Sequence, residues 1–132
     1  MRPDSDYDVF AGSAKLMDFY DQKLDGSDVK QQAMYAGLIV EEYEEWFKAV
    51  QDEDDVEQFD ALIDMMVVIL GYGHSKGFPM AEGWAEVMRS NMSKIDPDTG
   101  RLLKRGDGKV LKPAAYSPPD LASLLTRQGA TK

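Results

Sequence analysis

The sequence predicts an all-α protein, and three observations carry that prediction. Apolar residues recur at alternating steps of three and four through long segments of the chain. Those segments are separated by turn residues such as Asp25-Gly26-Ser27 and Lys76-Gly77. A length of 132 residues at 43% hydrophobic content suits one compact domain with a core of its own. That domain is expected to span 1–132, with a core at about 7–93 and a basic C-terminal segment at 94–132.

The first helix is expected from Tyr7 to about Leu24, where Val9, Phe10, Leu16, Met17, Phe19 and Tyr20 stand among polar residues. Gly12-Ser13 weakens its start. After the Asp25–Ser27 break, Ser27 or Asp28 caps a second helix running from about Asp28 to Val50. Tyr35, Leu38, Glu42, Glu45 and Ala49 share one face of it, and Ile39, Tyr43, Trp46 and Val50 form a neighbouring stripe. Gln51 to Asp55 is an acidic connection whose charges suit the positive end of the next helix.

The third helix is expected from about Asp55 to Ser75. Asp60, Asp64, Val67, Gly71 and His74 form one stripe; Val56, Phe59, Ile63, Met66 and Leu70 form another. Gly77 supplies its C-terminal cap. Pro79 opens a fourth helix, to about Ser93. Beyond it, Arg101–Lys104 and Lys109–Lys112 suit a short hairpin around Gly106-Asp107-Gly108, and a short helix is expected from Pro119 to Thr126.

Charge is distributed unevenly. The formal net charge is −9, which argues against general binding to a nucleic-acid backbone. From Asp52 to Asp64 there are acids and no Lys or Arg; from Arg101 to Lys112 there are five bases and one acid. Cysteine is absent, which removes disulfides, thiolate zinc sites and cysteine nucleophiles. No signal peptide or transmembrane run is visible, so no membrane is expected as a partner and the cytoplasm is the expected compartment.

Glu42 and Glu45 lie in line with apolar residues, and Asp64 is apolar on almost every side. An isolated ionised carboxylate there is costly unless paired or coordinated. If the two helices pack antiparallel, Glu41/Glu42/Glu45 and Asp60/Asp64 make an oxygen-only site. Such donors, without Cys or a close His pair, favour magnesium or manganese over zinc. Glu41 flanks the same face and is either a further ligand or a base that activates water. Glu44 and Glu57 read as solvated charge. Asn91 and Lys94 project together from the end of the fourth helix, and Lys109 and Lys112 lie in the basic segment. Each lysine alone reads as surface charge; together they suit a phosphate. His74, the only histidine, reads as a packed helix-terminal residue.

Leu38-Ile39-Val40-Glu41-Glu42-Tyr43-Glu44-Glu45 resembles the Glu-Glu-x-x-Glu motif of the MazG-like all-α nucleoside triphosphate pyrophosphohydrolases. Asp60-Ala61-Leu62-Ile63-Asp64 resembles their second acidic motif. Ser90-Asn91-Met92-Ser93-Lys94, Asp107 to Pro113 and Tyr116 to Leu121 are similar to the branch related to phosphoribosyl-ATP pyrophosphohydrolase. The resemblance covers about 30–121. It implies a four-helix MazG-like bundle assembled as a homo-oligomer, dimer or tetramer, with an irregular or hairpin C-terminal segment. It implies hydrolysis of a nucleoside or deoxynucleoside triphosphate to the monophosphate and pyrophosphate, with Mg²⁺ or Mn²⁺. Some phage members act on guanine nucleotides, which makes (d)GTP the leading substrate and, for a phage protein, the host cytoplasm the compartment. Phosphoribosyl-ATP cleavage, or a non-catalytic metal-stabilised helical module, are the alternatives. By position the resemblance makes Glu42, Glu45 and Asp64 metal ligands and Glu41 a ligand or base. It makes Asn91, Lys94, Lys109 and Lys112 phosphate or nucleotide contacts. Where many relatives have a glutamate this chain has Ala61, so Asp60 is expected to supply the missing oxygen.

Overall fold

The computed structural model describes residues 8–129. The expected helix start at Tyr7 and the outer limits of the expected domain lie outside them. Five helices and a small sheet follow one another: α1 (Val9–Phe19), α2 (Val29–Gln51), α3 (Asp55–Ser75), α4 (Met80–Met92), β1 (Ile95–Asp96), β2 (Arg101–Lys104), β3 (Val110–Leu111) and α5 (Leu121–Gly129). The chain divides into two compact units after Met80. Among the described residues no helix is long and apolar enough to cross a membrane.

Three aspartates start the first three helices. Asp8 Oδ1 accepts from the backbone N–H of Phe10 and Ala11, Asp28 Oδ1 from Gln31, and Asp54 Oδ1 from Glu57. Each occupies an amide the helix cannot bond itself, a contribution of about 1 kcal/mol. The first helix is shorter than the sequence suggests. Apolar residues continue to Leu24, but Asp21 takes a left-handed conformation (φ 56°) and Gln22 N–H turns back to the Met17 carbonyl. α3 stops at its cap Lys76, and Gly77 follows at φ 72°.

In the first unit α2 and α3 form an antiparallel hairpin, with α1 against α3. At the open end the Gln31 side-chain amide donates to Ser75 Oγ (2.7 Å) and to the Lys23 carbonyl (2.6 Å). Its oxygen accepts from Lys23 N–H (2.9 Å), and Ser75 Oγ donates to the Gly71 carbonyl (2.7 Å). This buried polar set is therefore satisfied and ties the 21–28 loop to both helices. At the closed end Gln58 Nε2 donates to the Ala49 carbonyl.

The core lies between these ends. Met17, Tyr35 and Val68 are buried together, with Leu38, Ile39 and Tyr72 against them. Tyr35 lies so close to α3 that a Cβ on Gly71 would come within 2.2 Å of its ring. Glycine at 71 is what lets the ring seat there, and the Tyr35 hydroxyl donates to Gln22 Oε1 (2.6 Å).

His74 joins α3 to α1. Its Nε2 is 2.9 Å from Ser13 Oγ, and Ser13 in turn donates to the Phe10 carbonyl. Burial holds the imidazole below its ordinary value of 6.5, opposed in part by a hydrogen bond to Phe10. The unfolded chain therefore takes up this proton first as pH falls. Between pH 6.5 and the lower folded value the unfolded state binds more protons, so this part of the stability is complete above 6.5 and lost through that window. Urea midpoints at several pH values between 7.5 and 5.5 are expected to fall less steeply for His74→Gln than for wild type. Parallel slopes for the two proteins contradict the assignment.

The second unit holds most of α4, the sheet and α5. The sheet runs β1-β2-β3, antiparallel throughout, with Ile95 opposite Leu102 and Leu103 opposite Leu111. The hairpin from β2 to β3 is the expected one. β1 is not expected from the sequence, so the expected hairpin is part of a three-stranded sheet and the fold is mostly helical with a small sheet; the fifth helix, Leu121–Gly129, is the short one expected from Pro119 to Thr126. Glu86 and Arg89 pair through two 2.8 Å contacts, and Glu86 also accepts from Asp120 N–H (2.7 Å). The Arg89 bonds, seconded by Asp120, hold the Glu86 carboxyl down at about 2. Asp120 opens α5 by accepting from Ser123 N–H.

Candidate functional site

The register of the α2–α3 hairpin decides which side chains meet. Gln31 bonds Ser75, and Tyr35 lies on Gly71. Each step forward along α2 is matched by an equal step back along α3. Continued, that pairing sets Glu42 level with Asp64, and Glu45 level with Ala61 and next to Asp60.

The electrostatics agree with this register. Burial, then the charge of Glu45, then that of Asp64, a hydrogen bond with Glu45, and lastly Asp60 hold the Glu42 carboxyl above its usual range. Four carboxylates from two helices therefore act on one another across the seam. Glu42 Oε2 is enclosed and has no hydrogen-bond partner. Between two ionised carboxylates neither can donate, so a shared proton, a water or a cation has to satisfy that oxygen.

The four are not equally placed. Glu42 and Asp64 are half-buried, while Glu45 and Asp60 are exposed. Among the described residues no three acids stand close enough together to cage one ion as they are. Like charges at this range push apart, and the exposed pair has solvent to turn into. The donor set is nonetheless all oxygen and includes an unpartnered buried oxygen, so it fits a hard divalent cation. Ala61 is buried at 3% exposure, level with Glu45. The seam there is filled by a methyl group, and the oxygen has to come from exposed Asp60 beside it. Glu41 is exposed and is not among the strongest influences on Glu42.

In the second unit the structure brings three of the four expected phosphate contacts together. Lys94 Nζ donates to Asn91 Oδ1 (3.1 Å). Lys94 Nζ lies 6.0 Å and Lys112 Nζ 4.9 Å from the centre of the Tyr116 ring. Lys109 is exposed in the hairpin, where its backbone N–H bonds Asp107 Oδ1, and its ammonium joins no ring or ion pair among the described residues. Tyr116 was not marked by sequence reasoning as a site residue. Its sequence signals are its place at the head of the Tyr116–Leu121 block that resembles the family branch, and an aromatic ring set between a basic run and Pro118-Pro119.

A chain with carboxylates converging on the seam of an antiparallel helix pair, on a mostly helical fold, falls in the all-helical pyrophosphohydrolase class. Residues 14–91 match the family model of phosphoribosyl-ATP pyrophosphohydrolase, and the chain belongs to that family. The matched span contains both acidic stretches and Asn91, while Lys94, Lys109 and Lys112 lie beyond it. No curated protein matches the chain.

Proposed function

We propose that the chain hydrolyses a nucleoside or deoxynucleoside triphosphate to the monophosphate and pyrophosphate with Mg²⁺ or Mn²⁺, with (d)GTP the first substrate to test. The observation that carries this reading is the enclosed, unpartnered Glu42 Oε2, with Glu45 beside it on α2 and Asp64 and Asp60 across the helix seam.

Glu42, Glu45 and Asp64 would hold the cation, with Asp60 in place of the oxygen missing at Ala61. When bound, such a cation neutralises polyphosphate charge and polarises the phosphoryl group under attack. The half-buried pair Glu42 and Asp64 fixes the position of the focus, and the exposed pair Glu45 and Asp60 has freedom to close on it. Glu41, exposed beside this face, is assigned the task of taking a proton from the attacking water. In the second unit Asn91, Lys94 and Lys112 are assigned to the nucleotide's anionic groups, with exposed Lys109 as a further cation.

A homo-oligomer, dimer or tetramer, belongs to the same proposal. On α2 Val40, Tyr43 and Phe47 are exposed, and on α3 Val56, Phe59, Ile63 and Met66. Two apolar stripes of this extent on one helix hairpin are more than a monomer normally shows to water.

The family's name supplies a second substrate to test, phosphoribosyl-ATP. A panel of the eight common NTPs and dNTPs plus phosphoribosyl-ATP, with each metal and with pyrophosphate as readout, separates the two. Pyrophosphate is expected from one nucleotide class well above the rest. Orthophosphate as sole product overturns the reaction. Metal-dependent melting without turnover of any nucleotide leaves a helical module that only binds.

A further inference from the structure

We infer that Tyr116 is a positioning residue that gathers Lys94 and Lys112 into a two-cation clasp for a diphosphate group. The inference deepens the nucleotide reading above and rests on it for the source of the diphosphate.

Two positive groups are held beside one ring in a chain of net charge −9. The Lys112 ammonium stands 4.9 Å from the ring centre and that of Lys94 6.0 Å. Both fall within the range where the negative face of an aromatic ring attracts a cation. Among the described residues the ion pairs are Lys48–Asp52, Arg89–Glu86 and Arg105–Asp107, so neither of these two ammoniums has a carboxylate within 4.0 Å. Lys94 has only the neutral Asn91 amide oxygen, at 3.1 Å. Two like charges thus stand within reach of one ring, and among the described residues no carboxylate side chain supplies their counter-charge.

The backbone that carries the ring is held by bonds of its own. Tyr116 N–H bonds the Pro113 carbonyl (3.0 Å), which closes a turn at the residue that carries the ring. The next residue is anchored to the end of α4: Ser117 N–H donates to Ser93 Oγ (2.9 Å), and Ser93 Oγ donates to the Ser90 carbonyl (2.6 Å). Lys94 comes from the end of α4 and Lys112 from the segment after β3. Among the described residues the Asn91 bond steadies Lys94 alone, and the ring is the one group that both flexible stems approach. A diphosphate, with several charges on adjacent phosphoryl groups, matches two separate ammoniums better than a single carboxylate does.

The test is calorimetric titration of the full chain with inorganic pyrophosphate in chelator at low salt, repeated with a non-hydrolysable nucleoside triphosphate. Wild type is expected to bind pyrophosphate, Tyr116→Phe to bind within about twofold of it, and Tyr116→Leu about tenfold more weakly. In turnover Tyr116→Leu is expected to raise KM with kcat little changed, because the ring touches no reacting atom. Equal pyrophosphate affinity in wild type and Tyr116→Leu overturns the clasp, as does no binding by wild type. If Tyr116→Leu does not fold, acetylation of wild type decides. Pyrophosphate is then expected to protect Lys94 and Lys112 but not Lys109, and uniform labelling overturns the proposal. Pyrophosphate binding without hydrolysis of any nucleotide defeats the enzymatic reading alone. Hydrolysis with Tyr116→Leu kinetics equal to wild type defeats the clasp alone. Triphosphate bound while free pyrophosphate is not would tie any effect to the rest of the nucleotide and also overturn it.

Discussion

Glu42→Gln is expected to abolish pyrophosphate release while leaving the metal-free protein at least as stable as wild type. The two effects have opposite signs because Glu42 is an electrostatic burden on the fold. Its carboxyl is held above its usual range by burial first, then by Glu45, Asp64 and Asp60. A group whose folded value is raised costs stability once ionised, and that cost is relieved as pH falls. Glutamine keeps the volume, removes the charge and adds an amide that can donate to the facing carboxylates. For catalysis the same change removes an anionic oxygen from the cation focus. A loss of several kcal/mol of charge stabilisation corresponds to about a thousandfold in rate. Thermal melting in chelator and an initial-rate assay with saturating metal measure both on one preparation. A lower melting temperature together with undiminished turnover is the result that defeats the assignment. Asp64→Asn is expected to lose turnover as well, since Asp64 is half-buried and level with Glu42 on the facing helix.

The parts of this molecule visible in its sequence are those written in local chemistry. Asp28 and Asp54 announce their helices because a short side-chain acceptor there bonds the amide three residues on. Gly77 announces an ending because it tolerates φ 72°. The meeting of Glu42 with Asp64 was within reach for a related reason: helical period places each acid on an apolar face, and a short connection forces the two faces together. The end of α1 was not visible, because apolar residues run on to Leu24 and only the left-handed Asp21 interrupts them. Nor was β1, whose two residues are defined by Arg101 and Leu102 across a turn rather than by any pattern of their own. The convergence of Lys94 and Lys112 on Tyr116 joins positions far apart along the chain. It depends on the Ser93–Ser117 bonds, which no spacing rule encodes.

Phe59→Glu is expected to convert an oligomer into monomers and to lower the melting temperature. Phe59 is 68% exposed and Val56 76% in the single chain, and both lie on the α3 stripe with Ile63 and Met66. Full burial of a side chain of this size contributes about 1.5–3 kcal/mol. A stripe of four, with Tyr43 and Phe47 stacked at 6.3 Å on α2, is the surface the proposed association of two copies would bury. In a two-fold interface each substitution appears twice, so a buried charge at 59 is felt from both sides. Removing a buried phenylalanine costs about 3–5 kcal/mol, or about two to three orders of magnitude in the association constant, before the charge is counted. Sedimentation velocity distinguishes the species. Wild-type melting is expected to rise with protein concentration, since association stabilises by mass action, and the variant's is not. A wild type that sediments as a monomer across the accessible concentrations removes the oligomer from the proposal. The metal site is then left to stand on the α2–α3 seam of one chain, where all four of its carboxylates already lie.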